Sequence, residues 1–182
     1  MKSIYPVLLC ILNFTASLAA EPAVEVAGHR YPEKIKVHDH SWALQGTHHF
    51  RYRRIFSVFT GALYTTDDPE GKRLKFTYTR TLKGGDLRDQ AIKTLKENNS
   101  KEILEKYTHP LAGLQKAYQD VKDGDSYTLT VITNEGIWLH LNEKEVFFSD
   151  NSEFGYWYLD IWLGTPPISE SLKSDLTQGL SS

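Results

Sequence analysis

The chain has 182 residues, a single cysteine, and 21 basic against 23 acidic side chains, for a formal charge of −2. A near-neutral chain lacks the basic footprint of a nucleic-acid partner, and one cysteine rules out an internal disulfide framework. With aromatic residues at 12% it carries enough apolar bulk for one folded domain.

The first twenty residues read as a secretory signal: Lys2 as the charged start, Val7 to Leu12 with Phe14 as the apolar centre, and Ser17-Leu18-Ala19-Ala20 as the small residues for cleavage after Ala19 or Ala20. The apolar run is too short to span a bilayer. Bulky Leu9 before Cys10 argues against lipid attachment there. Cleavage would leave residues 21–182 as a single exported domain, periplasmic or secreted, without cysteine and with a charge of about −3.

Short extended segments are expected at 34–38 and 41–45. Phe50 to Tyr64 is a longer strand region with Gly61 as a bulge or close-approach point. The cluster from Thr65 to Gly71 is a turn. From Arg73 to Leu82 the residues alternate, placing Leu74, Phe76, Tyr78 and Arg80 on one face. Gly84-Gly85 is a turn, after which Asp86 caps a helix whose apolar stripe is Leu87, Ala91, Ile92 and Leu95. Asn98-Asn99 interrupts it, Ser100 caps a second piece, and Pro110 opens a third. Strands return at 127–132, 137–141 and 146–148, joined by turns at Asn134-Glu135-Gly136 and Asn142-Glu143-Lys144. The chain closes with an aromatic helix carrying Phe154, Trp157, Tyr158, Ile161 and Trp162, stopped by Gly164 and Pro166-Pro167, with Tyr156 off the stripe and exposed. Strands, helices, a meander and helices again imply an α+β fold: an antiparallel β-sheet with helices packed on one face.

Candidate chemistry is sparse. There is no Ser/His/Asp nucleophile signature, phosphate loop or dinucleotide fingerprint, and no cofactor is expected. Arg51, Arg53 and Arg54 form a basic strip, either a solvated strand edge or, for Arg51, an inward ligand contact. Arg80, isolated among Tyr, Phe and Thr, is placed to pair with Asp160. His38, His40, His48 and His49 could together hold zinc or copper, but no thiolate or close acid pattern completes the set, and surface histidines are the reading adopted, with no metal.

Several patterns together resemble the chalcone isomerase-like family, in its bacterial exported subgroup: Gly28 to Pro32 with Ile35 and Val37; Leu44-Gln45-Gly46, Arg51 and Gly61-Ala62-Leu63-Tyr64; Lys122-Asp123-Gly124-Asp125; and Ile161-Trp162-Leu163-Gly164 through Pro167 to Leu172-Lys173. The resemblance implies a chalcone isomerase-like fold with a ligand pocket. It also implies which enzyme groups are missing. Arg51 stands where those enzymes have an arginine, but Phe59 or Thr60 takes the hairpin threonine's place, residues 86–97 contain no tyrosine, and Ile161 replaces the last threonine. Phe and Ile cannot donate the hydrogen bonds required, which argues against chalcone cyclisation. Non-catalytic relatives clamp a fatty-acid carboxylate with Arg and Tyr. The resemblance therefore points to a small-molecule ligand, amphipathic or acidic and fatty-acid-like, held by Arg51, Thr60, Tyr64, Tyr78 and Arg80. An isomerase acting on a phenolic or enolisable substrate and an accessory protein acting through a protein partner are the alternatives.

Overall fold

The computed structural model describes residues 21–181 apart from His38, Arg54 and Asp68. The expected signal sequence therefore lies outside the described residues, as do His38 and Arg54. A small hairpin, β1 (Ala23–Val26) and β2 (His29–Pro32), precedes a seven-stranded antiparallel sheet. Its strands are β3 (Lys34–Val37), β4 (His40–Tyr52), β5 (Phe56–Asp67), β6 (Glu70–Tyr78), β7 (Ser126–Ile132), β8 (Gly136–Leu141) and β9 (Lys144–Ser149), lying side by side in sequence order. Three helices, α1 (Gly84–Asn98), α2 (Lys101–Lys106) and α3 (Thr108–Lys116), separate β6 from β7. Two more, α4 (Ser152–Leu163) and α5 (Glu170–Leu176), follow β9. The sheet curls into a half-barrel with helices packed on it, as the strand–helix order implied.

The alternation of side chains decides the two faces. Leu63, Leu74, Leu129, Val131, Ile137 and Leu139 are buried on the helix side, against Phe154, Tyr158 and Ile161 of α4. Each such side chain stabilises the fold by about 1.5–3 kcal/mol on burial. On the other face Tyr31 of β2 and Trp42 of β4 pack with Ala62, Tyr64 and Ile132. With both faces covered, every residue of β7 is buried. α4 sits close to the sheet because a Cβ on Gly155 would lie 2.8 Å from Val131 Cγ1.

Three local expectations are corrected. Phe50 to Tyr64 is not one strand: β4 and β5 meet in a tight turn through Arg53, whose φ is +50° although it is not glycine. Gly61 holds regular register opposite Phe76, so of the two readings it marks the close approach; the register of β4 against β5 shifts between Leu44 and Gly46 and again between Phe50 and Arg51. Asp86 does not cap α1. The helix starts at Gly84, whose amide donates to Asp120 Oδ1 at 3.0 Å, and Asp86 lies in the first turn, where its charge suits the helix dipole.

Candidate functional site

The sheet's helix face and the helices do not meet everywhere. Between β5, β6 and β7 on one side and α1, the end of α3 and α4 on the other lies a cavity of about 190 Å³. Its walls are apolar, among them Phe59, Leu74, Phe76, Leu129, Ile161 and Trp162. Three tyrosines, Tyr78, Tyr118 and Tyr127, supply its polar atoms, and Asp86 and Gln90, both exposed, stand at the rim. Asp86 is the one charged side chain among the described lining residues.

The alternation along β6 puts Tyr78 here, beside Leu74 and Phe76 on the same face. The aromatic rings interlock: Phe59 lies edge-on to Phe76 at 4.9 Å, Phe76 meets Trp162 at 5.4 Å, and Tyr78 is edge-on to Tyr127 at 6.3 Å. Two of the three hydroxyls are engaged. Tyr118 and Tyr158 share a hydrogen bond of 2.8 Å, and Tyr127 accepts from the Gln119 amide at 2.7 Å. The Tyr78 hydroxyl makes no hydrogen bond among the described residues, although the side chain is only 5% exposed. Burial, reinforced by Tyr118 and Tyr127, pushes the Tyr78 phenol well above its ordinary value. Burial likewise raises Tyr118 and Tyr158. All three stay protonated at neutral pH, so they serve as hydrogen-bond donors and not as bases.

The residues expected at a ligand site are dispersed. Tyr78 lines the cavity. Thr60 and Tyr64 are buried on the opposite face of β5, where Thr60 Oγ1 lies 2.6 Å from the Tyr31 hydroxyl. Burial and the neighbouring Tyr31 push the Tyr64 phenol up to about 12, with Arg73 opposing. Arg51 is exposed and pairs with Ser57, whereas Tyr64 pairs with Leu44. Those positions lie seven steps apart along β5, roughly 23 Å of strand, so Arg51 and Tyr64 do not form a clamp. Arg80 is exposed beyond the end of β6 and makes no ion pair with Asp160. Tyr156, expected to be exposed, is half-buried and bonded to Thr133 Oγ1 at 2.9 Å and to the Glu70 carbonyl at 3.0 Å.

Of the four histidines weighed as metal ligands, the three described ones have other partners. His40 meets Glu135 at 3.1 Å, His48 meets Asp175 at 2.7 Å, and His49 meets Ser57 Oγ at 2.8 Å, which in turn reaches Thr79 Oγ1 at 2.8 Å. No group of three metal-binding side chains occurs among the described residues. Sequence reasoning missed Tyr118 and Tyr127 as lining residues. Their signal was present: two hydroxylated aromatics on the elements expected to face each other across the sheet–helix boundary.

The curled antiparallel sheet thus encloses a largely apolar cavity beneath its helices. The profile described as chalcone isomerase-like matches residues 23–177, and the chain belongs to that family. Among solved structures it is similar to a fatty-acid binding protein of Arabidopsis thaliana, with a TM-score of 0.68 and 11% identity, over 88% of this chain and 98% of that one. At that identity the likeness concerns the fold. No curated protein matches the sequence.

Proposed function

We propose that this protein is an exported, non-catalytic carrier that binds an amphipathic small molecule in the cavity, with the Tyr78 hydroxyl as its polar anchor. The Tyr78 hydroxyl, without a hydrogen bond among the described residues and facing a largely apolar cavity, carries the reading. Facing the cavity, this hydroxyl can donate to an acceptor on a ligand without giving up an internal bond, a gain of about 1 kcal/mol. The Arabidopsis protein of similar fold is a fatty-acid binding protein, which supports an apolar or amphipathic ligand here. The volume sets a limit here: apolar cavities of about 150 Å³ hold benzene, so 190 Å³ takes a ring or a short acyl segment, and a longer chain must leave through the rim. There Asp86 disfavours a carboxylate, and Arg51 does not line the space. The acidic form of the ligand is therefore less suited than a neutral alcohol, phenol or carbonyl.

Calorimetry with decanol and decanoate tests this. Decanol should bind more tightly, and Ala91→Phe, which fills the cavity from α1, should abolish binding without unfolding the protein. Tighter binding of decanoate, lost in Arg51→Ala, would replace this reading with a carboxylate clamp. Export is tested separately: a mature protein beginning at Ala20 or Glu21 is expected on N-terminal sequencing.

A further inference from the structure

The three most exposed large apolar side chains of the described chain lie within five residues of one another: Tyr52 at 54%, Ile55 at 75% and Phe56 at 55%. They occupy the tip of the β4–β5 hairpin, where Tyr52 pairs with Phe56 across the turn. A folded chain gains nothing internally from holding three such groups in water, so a cluster of this kind marks a contact surface. The charge around them has one sign. Arg51 and Arg53 are both exposed, and neither makes an ion pair among the described residues. The Arg53 guanidinium lies over the Tyr52 ring, 5.5 Å from its centroid. From Ser41 to Thr66 there is no acidic residue, although the whole chain is net negative.

We propose that this hairpin tip docks on an anionic lipid bilayer. The composition suits the boundary between lipid tails and headgroups: Ile55 and Phe56 enter the apolar layer, Tyr52 sits at headgroup level, and the arginines keep their charge among the phosphates. A nucleic acid would meet one short basic turn on a net acidic protein, and a protein partner would need a broader surface than one turn. The attachment is weak and reversible, since three side chains bury less than an acyl anchor does. The tip is also continuous with the cavity. Two residues beyond Phe56, Val58 and then Phe59 line the cavity wall, and Phe50 stacks on Phe59 at 4.9 Å. Docking thus sets the cavity beside the lipid surface. Transfer of ligand between the two rests on the carrier reading; docking itself does not.

The test is co-sedimentation of the mature chain with phosphatidylglycerol–phosphatidylcholine vesicles and with neutral phosphatidylcholine vesicles. Binding should be confined to the anionic vesicles and fall with added salt, because screening shortens the reach of the arginines. A cation near such a surface is worth on the order of five-fold in partition, so Arg51→Glu with Arg53→Glu should reduce binding at least 25-fold, roughly. Ile55→Ser with Phe56→Ser should weaken it at every salt concentration. In an otherwise native protein, Ile55→Trp should show a blue-shifted emission with anionic vesicles only. Equal binding to neutral vesicles, or binding unchanged by the arginine reversals, would overturn the proposal. So would a self-associated protein that the double Ser variant makes monomeric without any vesicle binding, since the tip would then meet a second copy. None of these outcomes depends on decanol binding, so the carrier reading can fail while docking stands, and the reverse.

Discussion

At the scale of single residues, two groups separate what the chain needs to fold from what it needs to bind. Tyr78 makes no hydrogen bond among the described residues, so removing its hydroxyl costs little stability. Tyr78→Phe should leave Tm unchanged and weaken decanol about five-fold, the equivalent of one hydrogen bond of about 1 kcal/mol; parallel thermal melts and calorimetry check both. His49 behaves in the opposite way. Desolvation, aided by Arg51, His48 and His29, lowers its pKa below the ordinary 6.5. The folded protein then binds fewer protons at this site than the unfolded chain does, and the stability it contributes is present above the unfolded value and lost as pH falls through the interval below it. Urea midpoints should therefore decline as pH falls below about 6.5, and His49→Gln should flatten that part of the slope. Which of these roles each residue plays was only partly legible in the sequence. Tyr78 could be placed on the face of Leu74 and Phe76 by alternation alone. Arg51, Thr60 and Tyr64 carried the right chemistry, but strand register and the half-barrel's opposite face put them elsewhere, and neither is visible in residue types.

At the scale of elements, the strands after α3 were legible because Asn134 and Gly136 punctuate them and their apolar residues alternate cleanly. The β4–β5 turn was not, since it places an arginine at positive φ where glycine or asparagine is the usual signal. The short β1–β2 hairpin was missed too, because four-residue strands leave little periodicity to read. The motif Leu44-Gln45-Gly46 gains a physical meaning. Register shifts there, and a Cβ on Gly46 would come within 2.7 Å of the Leu176 carbonyl oxygen, at the end of α5. That neighbour is backbone and cannot step aside. Gly46→Ala should separate α5 from β4 at a cost of about 1–3 kcal/mol, seen as a lower Tm and as faster hydrogen exchange confined to the C-terminal helix.

At the scale of the molecule, the helix layer leaves the cavity beside α1 and α4 while other helix side chains are buried outright. Leu114 on α3 is fully buried, and Leu114→Ala should destabilise the protein by about 2–5 kcal/mol in denaturant titrations, with the new void left dry. Filling the native cavity should do the reverse: decanol at a hundred times its dissociation constant adds about 2.7 kcal/mol, or roughly 5–10 °C in Tm for a domain of this size. The bond between His48 and Asp175 joins residues 127 positions apart, at the place where α5 meets β4. A ribosome, or a channel passing the chain in the same direction, delivers β4 more than a hundred residues before its cover. The nascent strand must therefore wait, half-dressed, while the rest of the sheet and the helices between appear. A product halted just before Asp175 would carry every strand of the sheet yet be unable to seal it, and should be found with chaperones or in aggregates, not as a shortened soluble domain.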